Sequence, residues 1–345
     1  MHPGPLARHL PRLALSLAAS LGAAQPAYAQ DAVTMEAVRY GQVGTATPGM
    51  TFIVNQPADD LRIRVDCGGK MQERHGPASA GDRIDLKFDV GQGTYPCKGT
   101  LAGEFSDGTT GEGPISFTIT MLPQMKINVI PGQLDLPGRK AVITLDRKAS
   151  KVEVTAIGAK GIALATGLLP TDAAPGTPIT VEWGKPTGEP IKLRIRAFDE
   201  HGFWSEHLAL VWSYSIPHED VVFATNASAL DPAEVYKLEA ALVEAKKVYE
   251  RYEGEISVRL YVGGHTDTVG DNTFNQKLSE DRALTIARWY KQAGFPGDIY
   301  SCGFGESDLA VPTGDNVDEG LNRRVEYLLA GGSPPGKGNG WEPLP

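Results

Sequence analysis

From residue 31 to about residue 215, apolar and polar positions alternate in short runs of period two. Leu61-Arg-Ile-Arg-Val65, Ile84-Asp-Leu-Lys-Phe88 and Ile191-Lys-Leu-Arg-Ile195 each put their apolar side chains on one face, the pattern of half-buried strands. Ile115–Thr120, Val142–Leu145 and Lys151–Thr155 add further runs. Gly and Pro recur between them, so the region is predicted to be all-β, with many short strands and tight turns. A break near Pro123 divides it into two sandwich modules, residues 30–123 and 124–215, each about 90–100 residues. A weak internal echo supports that division. F-S-D-G-T-T-G-E-G precedes a strand ending at Thr120, and F-D-E-H-G-F-W-S-E-H precedes one ending near Tyr214.

From Pro217 the period lengthens. Val221–Phe223 is a short strand, and Asp231-Pro-Ala-Glu234 supplies an N-cap, a proline at the first helical position and an acid in the first turn. Val235, Leu238, Leu242, Ala245, Val248 and Tyr252 then follow at helical spacing, an amphipathic helix of about five turns. A strand over 256–263, a helix over 273–293 and strands over 299–304 and 325–329 complete a β-α-β-α-β-β module spanning 217–330, an α+β sandwich with helices on one face. The remainder, 331–345, opens with G-G-S-P-P-G-K-G-N-G and is expected to be disordered.

The N-terminus sets the compartment. Arg8, His9 and Arg12 precede an apolar run from Leu13 to Ala24, and Ala27-Tyr28-Ala29 is a small-x-small cleavage site. The run is too short to span a bilayer, so residues 1–29 read as a signal peptide with Gln30 as mature start. In an oxidising compartment Cys67 and Cys97, both in strand-like sequence of the first module, are expected to bridge, leaving Cys302 as a buried thiol. The 345-residue chain carries a formal charge of −9, which leaves no basic surplus for nucleic acid. One alternative for the first 215 residues is an eight-stranded outer-membrane barrel. Scattered Pro and 8% aromatic residues, too few for aromatic girdles, favour soluble sandwiches.

Candidate chemistry concentrates in the last module. Gly264-His-Thr-Asp-Thr-Val-Gly270 puts Asp267 on a glycine-flanked loop, and Arg282 lies on the helix that follows. Asn275 and Arg282, seven apart, share one helix face; Ala283, Ile286, Ala287 and Tyr290 are expected on an opposite, packed face. An acid and a base aimed into one small space can hold an amino acid by its ammonium and carboxylate together. The plainer alternative is an internal Asp267–Arg282 ion pair stapling loop to helix. His265 reads as a packed structural histidine and Asn322 as a turn residue. No nucleophile elbow, metalloprotease helix or phosphate loop occurs, and His201, His207 and His218 lack the spacing of a metal site. The expectation is a binding protein, neither an enzyme nor a metalloprotein.

Gly264–Gly270, Asn275-Gln-Lys-Leu-Ser-Glu-Asp-Arg-Ala283, Gly303-Phe-Gly-Glu306 and Asn322-Arg-Arg-Val325, in that order, resemble the OmpA-like C-terminal domain over about 217–330. The resemblance implies non-covalent binding of peptidoglycan through the diaminopimelate of its stem peptides, in the periplasm and without a cofactor. It implies that Asp267 accepts the ligand ammonium and that Arg282 forks onto the carboxylate. Thr266, Asn275 and Asn226 would add hydrogen bonds. One of Arg323 and Arg324, neighbours that point oppositely on a strand, would complete the site, with Arg324 preferred. Val269 departs from the family, which often has a polar or small residue there. Tyr95, two residues before Cys97, is similar to the tyrosine corner of immunoglobulin-like domains, although the Cys67–Cys97 spacing is shorter than theirs. The β modules would reach toward the outer membrane or an envelope protein.

Overall fold

A computed structural model describes residues 13–14, 32–224, 227–334 and 340–345. The chain forms two compact units: residues 1–126 with 145–150 and 197–205, and residues 127–144 with 151–196 and 206–345. The expected signal peptide lies outside the described residues apart from β1 (Leu13–Ala14), which pairs with Ala37 and Glu36.

The first unit holds β2 (Val33–Val38), β3 (Tyr40–Gln42), β4 (Gly49–Val54), β5 (Ala58–Cys67), β6 (Lys70–Ala78), β7 (Arg83–Lys87), β8 (Gly93–Phe105) and β9 (Thr110–Leu122). They form two open sheets, ordered β1-β2-β4-β7 and β3-β9-β8-β5-β6. The inward residues of both, among them Phe52, Val54, Leu61, Ile63, Val65 and Ile119, share one core. The alternation read at 61–65 is real: Leu61, Ile63 and Val65 are buried, and Arg62 and Arg64 are exposed. The expectation of uniformly short strands fails at β8 and β9, 13 residues each, because one hairpin turn at Asp107 joins them without a break. Open linear sheets, rather than a closed ladder, also set aside the eight-stranded barrel for the described residues.

Cys67 and Cys97 are bonded to each other. They are direct cross-strand neighbours on β5 and β8, 4.3 Å apart at Cα, so the bridge lies within one sheet. It closes a segment of 30 residues. Reduction is expected to lower the stability of the first unit by about 2–4 kcal/mol, read as a shift in the urea midpoint with and without reductant.

Beyond residue 126, β10 (Ile127–Asp135), β11 (Lys140–Leu145) and β14 (Ile179–Glu182) form a three-stranded sheet; β12 (Lys151–Ile157), β13 (Ala163–Pro170), β15 (Lys192–Phe198) and β16 (Trp204–Leu210) form a four-stranded one. The two echoed segments are equivalent hairpin turns. Asp107 Oδ1 accepts the amide of Thr109, and Asp199 Oδ1 accepts the amides of His201 and Phe203.

The last module contains β17 (Ser213–Ser215), α1 (Val235–Tyr252), β18 (Arg259–Gly264), α2 (Asn272–Gln292), β19 (Ile299–Gly303), β20 (Val325–Ala330) and β21 (Glu342–Pro343), with sheet order β17-β20-β18-β19-β21. Asp231 caps the turn that opens α1, accepting the amide of Ala233, and Pro232 follows as read from the sequence. Leu260, Val262, Tyr327 and Leu329 face the helices, where Leu238, Ala245, Ile286, Ala287 and Tyr290 complete the core.

Two expectations change here. The strand at 221–223 does not form; the Val222 amide donates to the Glu234 carboxylate at 2.8 Å instead of to a neighbouring strand. The edge place goes to Ser213–Ser215, which pairs with Leu328–Ala330. The tail is also not disordered throughout. Residues 335–339 lie outside the described part, but β21 pairs with Tyr300 and Ser301, and Leu344 packs on the core. Glycine and proline content hid the apolar area that Trp341 and Leu344 contribute.

Candidate functional site

The site forms where β18 runs into the loop 265–271 and on into α2. Glycine makes the close approach possible: a Cβ on Gly264 would stand 2.2 Å from the Ser279 carbonyl oxygen, and one on Gly303 would stand 2.4 Å from the Glu280 amide nitrogen. Asp271 caps α2 by accepting the amides of Thr273 and Phe274. Asn275, Ser279, Arg282, Ala283, Ile286, Ala287 and Tyr290 then form one continuous buried stripe. The polar candidates therefore occupy the first half of the packed face, not a face opposite it. Helical spacing of three and four, continued through three polar residues, carries both halves.

The loop is pinned from three directions. Thr266 N–H donates to the Gly305 carbonyl at 2.8 Å, and Gly305 N–H to Ser279 Oγ at 2.8 Å. Asn275 Nδ2 reaches the carbonyls of Asp267 and Val269 and the Glu306 carboxylate at 3.0–3.3 Å. Thr268 Oγ1 donates to the Gly314 carbonyl and accepts from Val317 N–H, tying in the segment 311–319. Asn275 thus serves as a loop clamp, a role its position in the motif did not reveal. Thr266 Oγ1 is buried with no hydrogen-bond partner.

The charges pair differently from either expectation. Asp267 is 7% exposed, and its Oδ2 lies 2.5 Å from Arg323 Nη1. Arg323 also pairs with Asp318. Arg282, 5% exposed, has no carboxylate partner among the described residues. Its Nε donates to the Ala227 carbonyl at 3.0 Å, and its guanidinium lies 5.1 Å over the Phe223 ring. Burial first, then the charge of Arg323, lowers the Arg282 pKa, with Asp267 opposing. Asp318 and then Asp267 raise that of Arg323. The internal Asp267–Arg282 staple is therefore absent from the described contacts.

Arg323, rather than Arg324, is the arginine that meets Asp267. Arg324 sits on the other side of the strand entry, 2.8 Å from Glu326 and 3.8 Å from Asp308. The turn Gly320–Asn322 delivers Arg323 to Asp267, a choice that strand parity alone could not make. His265 is fully buried and stacked on Phe304 at 5.0 Å, as a structural histidine. Asn322, also fully buried, accepts the amide of Val311 and donates to its carbonyl. His265, Asp308 and Glu326 come close enough together for a cation, but Arg324 already supplies the positive charge between the two carboxylates. Asn226 lies outside the described residues. Phe223, Asp318, Thr268 and Glu306 were not singled out by sequence. Thr268 and Glu306 stood inside the motifs read from the sequence and could have been; Phe223 and Asp318 depend on tertiary approach.

A loop carboxylate and a buried guanidinium thus stand at the end of the central parallel strand pair of an α+β module. The profile described as "OmpA family" matches residues 222–323. The outer-membrane lipoprotein YfiB of Pseudomonas aeruginosa is 30% identical over 140 residues, covering 39% of this chain and 76% of that protein. Through this module the chain belongs to the OmpA family. Outer membrane protein P5 of Haemophilus influenzae is 30% identical over 109 residues, 31% of this chain and 28% of that protein. Two further relatives are matched over 13% and 20% of their length, so the chain spans under a third of several of the proteins it resembles. The peptidoglycan-associated lipoprotein of Burkholderia pseudomallei, a solved structure, is 17% identical with a TM-score of 0.26, covering 32% of this chain and 88% of that one.

Proposed function

We propose that the last module binds peptidoglycan non-covalently through diaminopimelate-type stem peptides, tethering a non-enzymatic exported protein to the cell wall in the periplasm. The observation that carries this reading is Arg282. A buried guanidinium without a carboxylate partner among the described residues is costly unless an anion completes it. A ligand carboxylate would do so with two parallel hydrogen bonds. The ligand ammonium would take Asp267, displacing Arg323, whose side chain is 42% exposed and has Asp318 to fall back on. Thr266 Oγ1 would gain a partner. Asn226 remains a contact on its motif alone, and Arg323 replaces Arg324 in the site.

The modules of residues 30–123 and 124–215 are read as immunoglobulin-like sandwiches that meet an outer-membrane or envelope partner. In support, the Tyr95 hydroxyl donates to the Gln92 carbonyl at 3.3 Å, as a tyrosine corner does. The in-sheet disulfide departs from that family's inter-sheet bridge.

Charge-assisted hydrogen bonds contribute on the order of 1.5–3 kcal/mol each, so a few of them, less association entropy, give roughly micromolar to millimolar affinity. Repeated stem peptides in one polymer keep such a weak binder localised. The test is co-sedimentation of residues 30–345 with purified sacculi. Wild type is expected to pellet, and an Asp267→Ala, Arg282→Ala double variant with an unchanged circular dichroism spectrum to lose at least about tenfold in affinity. Equal pelleting of the folded double variant would remove these residues from the site.

A further inference from the structure

We propose that residues 340–345 form a strap that sets the ligand loop, with Trp341 as a positioning residue for the Asp267 pocket; this rests on the wall-binding reading above. Four observations carry it.

The first is that the strap is built into the sheet. β21 adds antiparallel to the edge strand β19, with Tyr300 opposite Pro343 and Ser301 opposite Glu342. Leu344 N–H donates to the Ile299 carbonyl at 2.8 Å, and Lys291 Nζ, from α2, reaches the Pro345 carbonyl at 2.7 Å. Both ends of the segment are thus held by hydrogen bonds or rings of the module itself.

The second is where the indole lies. The helices take the face of β18 that carries Leu260 and Val262, and Tyr261 belongs to the other face. There Trp341 meets Tyr261 edge-on at 5.1 Å and Phe304 edge-on at 5.5 Å. Phe304 in turn stacks on His265, the residue before Thr266. Trp341 closes a small aromatic layer that the rest of the module leaves on its far face.

The third is what that layer supports. Phe304 N–H donates to the Gly264 carbonyl, and Thr266 N–H to the Gly305 carbonyl, each at 2.8 Å. The segment 304–306 therefore continues the parallel pairing of β18 with β19 into the site, and Glu306 then meets Asn275. A shift of Phe304 moves Gly305 and Glu306, and through them Thr266 and the Asn275 clamp behind Asp267.

The fourth is that the indole acts by packing alone. Its Nε1 is buried without a hydrogen-bond partner, so a phenyl ring can replace it without stranding an acceptor. Trp341 stands outside the matched family stretch of 222–323.

The test uses residues 30–345 and purified sacculi, with circular dichroism on every variant. Trp341→Ala, with native spectrum at the assay temperature, is expected to bind about tenfold more weakly because the loop is no longer preorganised. Trp341→Phe should restore binding to within about twofold. A chain ending at Ser333 should bind like Trp341→Ala, and a synthetic Gly340–Pro345 peptide added in trans should bring its affinity back toward wild type. Trp341→Ala binding as tightly as wild type, or Trp341→Phe failing as badly as alanine, would overturn the strap while leaving wall binding intact. Wild type that does not pellet would overturn the wall-binding reading and this inference together.

Discussion

Gly264→Ala is expected to destabilise the last module by about 3 kcal/mol, the upper end for overpacking, and to abolish sacculus binding even in the fraction that remains folded. The obstacle is backbone. The added methyl would stand 2.2 Å from the Ser279 carbonyl oxygen and 3.0 Å from its carbon, with Ala283 Cβ at 3.3 Å. No rotamer change can relieve this, so α2 must rise from β18. Ser279 is also the residue whose Oγ accepts the Gly305 amide, and Asn275 and Arg282 lie one turn to either side of it on the same stripe. Lifting the helix therefore moves both polar candidates away from Asp267. Gly303 repeats the seat on the neighbouring strand, so Gly303→Ala should behave alike. Gly254, with open space around its Cβ position, is the matched control and should tolerate alanine. Thermal unfolding followed by circular dichroism reads the difference as a drop of roughly 10 °C for Gly264→Ala. A drop under about 2 °C would show that the helix is not seated on this glycine.

The legible parts of the fold are those whose cause is local. Period-two alternation at 61–65 and 191–195, helical spacing through Tyr252, and the Asp231-Pro232 cap each act through nearest neighbours, and each element formed within a few residues of its expected place. The family motif likewise located the loop, the helix and the turn at Asn322. What the chain did not disclose were choices between tertiary alternatives. Arg323 and Arg324 are interchangeable by composition and charge, and only the turn before them decides which reaches Asp267. Helical spacing placed Asn275 and Arg282 together, and followed one turn further it also puts Ala283 and Ile286 on that stripe; the change from polar to apolar side chains hid the continuity. Val221–Phe223 and Ser213–Ser215 are both plausible edge strands, and the competition is settled by pairing with β20, far away in sequence. The strap at 340–345 is the clearest case, because every group that holds it is distant in sequence: the backbone of β19, Lys291 of α2, and the rings of Tyr261 and Phe304.

Arg147→Ala is expected to cost the first unit about 3–5 kcal/mol, since it leaves a buried carboxylate without its counter-ion. Asp199 is 3% exposed, and its Oδ2 lies 3.0 Å from Arg147 Nη2. The two are close enough to neutralise each other but are not aligned as a hydrogen bond. Arg147 Nη1 donates to the Pro123 carbonyl at 2.8 Å, so one guanidinium joins the chain break at 123 to the hairpin turn at 199. The carboxylate keeps two backbone amides through Oδ1, which places the cost toward the lower end of the range. Asp199→Asn separates the two contributions. An amide oxygen can still accept from His201 and Phe203, and the uncompensated charge is then on Arg147, whose side chain is 19% exposed and can reach water. Asparagine should therefore cost less than half of what Arg147→Ala does. Combining Arg147→Ala with Asp199→Asn should recover part of the loss, because the buried charge is gone while the turn is kept. Urea unfolding of the single and double variants closes this cycle. Strictly additive effects would mean that the arginine acts through Pro123 alone and that the ion pair contributes nothing.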